Sequence, residues 1–172
     1  EDILQAQQIL QEYLAKNEQD DGVRMMLADS YLATETEKAI LTYEKIIINE
    51  PNNVIVLNNL SWLYLEKGEL DKAQLHSKAA IDLAPENPNV IDTRGMVLLK
   101  AGKRLDAWKA LSKAYEISNG QDMNIALNYA EVAISINENQ KALDVLREIT
   151  LSSSTKQRKN SLTASAKKQL NK

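Results

Sequence analysis

The chain has 172 residues, 44% of them hydrophobic, with a formal net charge of −3 and neither cysteine nor phenylalanine. That hydrophobic share separates it from disordered chains, and the missing cysteine excludes disulfides, thiolate nucleophiles and cysteine-type zinc sites. No apolar run is long enough to span a bilayer, and a start at Glu1 without a signal peptide reads as a fragment or processed product.

In chain order, Asp2 to Lys16 is amphipathic, with Ile3, Ala6, Ile9, Leu10, Tyr13 and Leu14 on one side. Val23 to Ala33 then pairs with Glu37 to Asn49. Their turn, Thr34-Glu35-Thr36, lacks glycine, so it is expected to be tight or distorted. From Val54 the pattern is clearest. Leu57, Leu60, Ser61 and Tyr64 share one helix face, and Gly68 supplies the left-handed C-terminal residue. A second helix carries Ala73, Leu75, Ala79, Ala80 and Leu83, and Pro85 ends it. The next unit runs over 88–119 with Ile91, Gly95, Leu98, Ala107 and Leu111. In the last, Asp122 to Ile136 pairs with Gln140 to Ile149, and Asn137 takes the glycine place.

After Leu151 the character changes. Residues 152–172 carry six basic residues and no acid; taking these from the chain's −3 leaves −9 for residues 1–151. Leu162, Ala166 and Leu170 are spaced four apart. This basic tail is expected to form a capping helix over the last unit. A basic arm for nucleic acid or acidic lipid is the rival reading; the apolar stripe, which needs something to cover, and the lack of aromatic stacking residues favour the cap.

The spacing is periodic. Pro51 and Pro85, Gly68 and Gly102, and Ala39, Ala73 and Ala107 all recur at 34 residues; the step to Ala142 is 35. Such a period means stacked supersecondary units, none able to bury its apolar face alone. The run Leu57, Leu60-Ser61, Tyr64, Ala73, Pro85 resembles the tetratricopeptide repeat, and the other units follow it. The resemblance implies an all-α, right-handed α-solenoid with a C-terminal capping helix. Residues 1–151 form the array: an orphan second helix at 2–16, then repeats at about 21–51, 54–87, 88–119 and 122–151. An array that opens halfway through a repeat reads as cut from a longer one. More loosely, the runs around LNNLSWLYLEKGELDKA and VIDTRGMVLLKAGK are similar to the C-terminal repeats of tetratricopeptide lipoproteins of the PEP-CTERM exosortase system, although Arg94 stands where those have leucine. That likeness implies a bacterial periplasmic or envelope protein, with the cytoplasm as the alternative.

Nothing in the sequence assembles a catalytic, metal or cofactor site. His76 is the lone histidine and is expected on a solvent-facing surface; the glycines sit singly in turns rather than in a phosphate loop. The resemblance implies instead a noncatalytic protein-interaction scaffold, whose first helices line a concave groove. The groove positions are Met25, Asp29, Ile55, Asn58, Trp62, Leu65, Glu66, Asp92, Met96, Leu99, Leu127 and Glu131, with Asn89 and Asn124 beside them. Apolar anchors mixed with amides and carboxylates suit an extended neutral or basic peptide, or a second copy of the chain. Tetratricopeptide domains that grip acidic chaperone tails carry a clamp of lysine, asparagine and arginine. Here its places hold Met25, Asp29, Asn59, Asn89 and Thr93, so the cations are missing and no such clamp is expected. Membrane contact is expected only through an anchor outside the sequence. A structural spacer in a longer array, or the regulatory domain of a truncated enzyme, are the alternatives. Trp62 reads equally as a binding anchor or as filling between repeats, whereas Trp108 reads as packing or convex surface.

Overall fold

The computed structural model describes residues 2–149 and 153–171. Among these residues every regular element is a helix: α1 Asp2–Leu14, α2 Asp21–Tyr31, α3 Thr36–Asn49, α4 Val54–Glu66, α5 Leu70–Leu83, α6 Pro88–Lys100, α7 Arg104–Ile117, α8 Met123–Ser135, α9 Asn139–Glu148 and α10 Ser153–Leu170. They fall into two compact units, Glu1–Leu83 and Ala84–Lys172. In the first, α1 packs on α2, α2 on α3, α3 on α4 and α4 on α5. In the second, α6 packs on α7, α7 on α8 and α8 on α9, while α8 also touches α6 and α10 lies against α8 and α9.

Two columns of small residues make each helix pair possible. On the first helices Ala28, Ser61, Gly95 and Ala130 are buried; on the second helices Ala39, Ala73, Ala107 and Ala142 are fully buried. Small side chains let two helix axes approach, so the larger neighbours can interdigitate. Ser61 shows the cost and its remedy. Its hydroxyl is buried, and it donates to the Ala73 carbonyl at 3.0 Å.

The turns follow the local chemistry. Gly68 and Gly102 have φ of 79° and 76°, and Asn137 takes the same left-handed form at 67°. In each, the amide just after the left-handed residue bonds back to the carbonyl five residues earlier: Glu69 to Tyr64, Lys103 to Leu98 and Glu138 to Ala133. The turn over 34–36 is different, as its missing glycine leads one to expect. Glu35 bonds to Tyr31 at 2.8 Å, a shorter loop without a left-handed residue. Where the period lengthens by one, Asn119 and Gly120 are left-handed in succession.

Every first helix of a pair starts on the same device. Asp20, Asn53, Asn87 and Asp122 each accept a hydrogen bond from the backbone of the first turn of α2, α4, α6 and α8. These caps satisfy donors that a helix N-terminus otherwise leaves orphaned. They thereby fix where each first helix begins, and so which of its residues face inward.

Candidate functional site

The faces to be weighed are those of α2 and α4 in the first unit and of α6 and α8 in the second. On α2, Met25 is half-buried and Asp29 is exposed. Asp29 does not stand alone. Its Oδ1 accepts the hydroxyl proton of Tyr43 on α3, and the same phenol oxygen accepts from Asn59 Nδ2 of α4 at 2.9 Å. Burial, with the Asp29 carboxylate beside it, pushes the Tyr43 phenol well above its ordinary range. This Asp29–Tyr43–Asn59 relay ties three helices together and uses up the asparagine that matches a place in the chaperone-tail clamp.

On α4, Ile55 is 64% exposed. Asn58, Trp62 and Leu65 are half-buried, and Glu66 is exposed. The Asn58 Oδ1 atom is itself buried and has no hydrogen-bond partner. Behind this face, Tyr64 is the hub. Its hydroxyl bonds Glu44 on α3, His76 stacks on its ring at 5.6 Å, and Lys72 lies 4.6 Å over it. His76 is therefore half-buried against an aromatic ring rather than free on a surface, and burial lowers its pKa from the usual histidine value.

In the second unit Asp92 occupies the place of Asn58 one 34-residue period later. It is 8% exposed, and its Oδ1 also has no hydrogen-bond partner. Asn128 Nδ2 donates to its other oxygen at 2.7 Å. Burial pushes the Asp92 carboxyl up to about 7; the Asn128 hydrogen bond opposes this, Asp122 adds to it, and Arg158 opposes it. Leu99 and Glu131 are half-buried, and Asn89 and Asn124 are exposed.

Besides Asp92, two further expected groove side chains are closed off in this structure. Met96 is 4% exposed, and Leu127 is fully buried in a cluster with Ala130, Ile134, Leu143, Leu146 and Ala166. Ala166 belongs to α10, so the C-terminal helix covers the face on which Leu127 lies. Trp108 packs against this cluster too. Its ring meets Tyr129 at 5.1 Å and lies under Lys141, so its aromatic area goes into packing rather than an open surface. Sequence reading missed Arg158, which reaches the α8 face from α10. The only signal for it was a lone arginine in a tail without acids. Among the described residues no group of histidines, cysteines and carboxylates could hold a metal ion, and no helix is long and apolar enough to cross a membrane.

Residues 42–75 match the family profile of the tetratricopeptide repeat. The chain is similar to cellulose synthase operon protein C of Pseudomonas fluorescens (strain SBW25), at 29% identity over 119 residues. That stretch is 69% of this chain and 9% of the relative, so the chain spans less than a tenth of that protein. Its fold is similar to that of a tetratricopeptide repeat protein from Parabacteroides merdae ATCC 43184, with a TM-score of 0.76 at 17% identity, covering 99% of this chain and 68% of that one. A thermophilic tetratricopeptide protein of Thermus thermophilus gives 0.73 at 21% identity over 93% and 88% of the two chains. PilF of Pseudomonas aeruginosa gives 0.72 at 21% over 98% and 83%. The chain is thus an all-α protein of tetratricopeptide-solenoid fold, an architecture that serves generally as a protein-interaction scaffold.

Proposed function

We propose that the chain is a noncatalytic scaffold whose first helices bind an extended, neutral or basic segment of a partner protein. One observation carries this reading. On α4 of the first unit, Asn58 holds a buried Oδ1 without a hydrogen-bond partner. Buried polar atoms are ordinarily bonded, so this orphan calls for a reason. An amide oxygen on this helix suits a backbone N–H group of an extended segment. The half-buried Trp62 and Leu65 lie one and two turns from Asn58 on the same helix, where they can cover ligand side chains.

The test is a selection of random dodecapeptides on the immobilised chain, followed by calorimetry with the enriched peptide. Trp62→Ala should weaken binding by roughly thirtyfold, the loss of an aromatic anchor of about 2 kcal/mol. Its melting temperature should stay within a few degrees of the wild type. Unchanged affinity, or a loss of stability of roughly 3–5 kcal/mol as for a core aromatic, would show Trp62 to be a packing residue.

We also infer that the chain works in the bacterial envelope. This rests on the exosortase-lipoprotein resemblance and on a relative whose name sets it in a cellulose synthase operon. Fractionation of cells expressing the full-length gene tests it: recovery in the cytoplasm overturns the placement.

A further inference from the structure

The inner residues of the second unit are joined by one chain of polar contacts. Asn128 donates to Asp92 Oδ2 at 2.7 Å, and its own Oδ1 accepts from the Arg158 guanidinium at 2.6 Å. The same nitrogen donates to Glu131 Oε2 at 2.7 Å. Lys100 Nζ stands 3.5 Å from the other Glu131 oxygen. Two carboxylates and an amide therefore converge, and one of the carboxylates is more than nine-tenths buried with an unpartnered oxygen. A buried carboxylate with an unsatisfied oxygen is costly, and a cation beside it relieves that cost.

The guanidinium that serves this site comes from α10 and is half-exposed. Among the described side chains of α10, Ala166 is the buried one; Leu162 packs partly on the cluster and Leu170 is 49% exposed. Beyond Arg158, α10 is held by Lys159, which donates to the Ile149 carbonyl at 2.9 Å. Buried methyl groups contribute little compared with a leucine side chain, and half-exposed ion pairs contribute about 1 kcal/mol or less. A half-exposed arginine side chain can be exchanged for a better ligand while α10 keeps its place against α8 and α9.

We propose that Asp92, Asn128 and Glu131 form a subsite for an arginine side chain of a partner segment, and that Arg158 holds this place from within until the partner's arginine replaces it. The proposal rests on the inner-face reading above and names the side chain it takes. Arginine is the side chain the place already accepts: one terminal guanidinium nitrogen of Arg158 gives its protons to an amide oxygen and a carboxylate oxygen together. A cation in the place of Arg158 favours the ionised form of Asp92, as Arg158 itself does.

The probe is acetyl-Gly-Ser-Arg-Ser-Gly-amide, with its citrulline counterpart as the neutral isostere. Nuclear magnetic resonance follows the Asn128 side-chain amide in the full chain, in Arg158→Gln and in Arg158→Gln/Glu131→Gln. The arginine peptide should bind Arg158→Gln about tenfold tighter than the wild type. The citrulline peptide should leave the Asn128 signal in place, and the double variant should lose the gain. Should Arg158→Gln not fold by circular dichroism, Arg158→Lys keeps the charge without the fork and should show a smaller tightening. Equal affinity in variant and wild type, or an equal response to citrulline, overturns the proposal. If selected peptides still bind through Trp62 while the arginine peptide moves nothing, the subsite falls and the inner-face reading stands. If neither peptide binds, both fall.

Discussion

Gly95 on α6 lies so close to Leu111 on α7 that a Cβ built on it would stand 2.6 Å from Leu111 Cγ and 2.9 Å from Cδ2. Leu111 is fully buried and has nowhere to move. Alanine is the better helix former by about 1 kcal/mol, so an exposed glycine here would gain from replacement. At this site overpacking costs about 1–3 kcal/mol and outweighs that gain. Gly95→Ala is expected to lower the urea midpoint; a rise would show that α6 and α7 can separate at little cost.

Tyr43 is fully buried, and its hydroxyl donates to Asp29 while accepting from Asn59. Tyr43→Phe leaves the Asn59 amide without this partner. The expected loss is about 1–2 kcal/mol in chemical denaturation. A double-mutant cycle with Asn59→Ala checks the assignment, since the two effects must be strongly non-additive if the relay is real. Simple additivity argues that the phenol's contribution is packing alone.

The Asp92 carboxyl, pushed up to about 7 mainly by burial, makes a signed contribution to the pH dependence of stability. Its folded-state value is raised, so the native state holds the proton longer than the unfolded chain does. The associated stability is fully present below the ordinary carboxylate range and is lost as pH rises towards about 7. Above that the penalty is complete, on the order of 2–4 kcal/mol. Asp122 and Arg158 act on this group in opposite directions, so the clean measurement is a difference. Relative to wild type, Asp92→Asn should be near neutral at pH 4 and stabilising at pH 8. A difference that stays flat across this range refutes the assignment.

Asn53 caps α4 by accepting from the Val56 amide at 3.1 Å. Asn53→Ala should cost about 1 kcal/mol. Asn53→Asp should be tolerated, because Asp20 and Asp122 fill the same place before α2 and α8. Thermal unfolding of the two variants separates a capping role from a general effect of altering the loop: equal losses in both would point to the loop.

Much of the fold was legible in the residues. A spacing of 34 between prolines, glycines and small residues dictates helix pairs, because a small residue in each helix lets the two axes approach and a left-handed residue closes the full-length turn. The left-handed Asn137 and the shortened turn at Glu35 were readable for the same local reason. The candidate site was legible only in outline. Counting along a helix places Asn58 and Asp92 on equivalent turns, which is a matter of local geometry.

Which of those positions stays open was decided by tertiary structure. Leu127 counts as a groove residue along α8, yet it is buried because α10 lies over it. Asp29 counts as a free carboxylate, yet Tyr43 binds it from another helix. Arg158 follows Asn128 by 30 residues, in a tail whose composition suggests only solvation. Periodicity sets the face of a helix on which a residue stands, through bonds to its near neighbours. The partner that meets it there is set by how distant helices dock, and that depends on the packing of the whole unit.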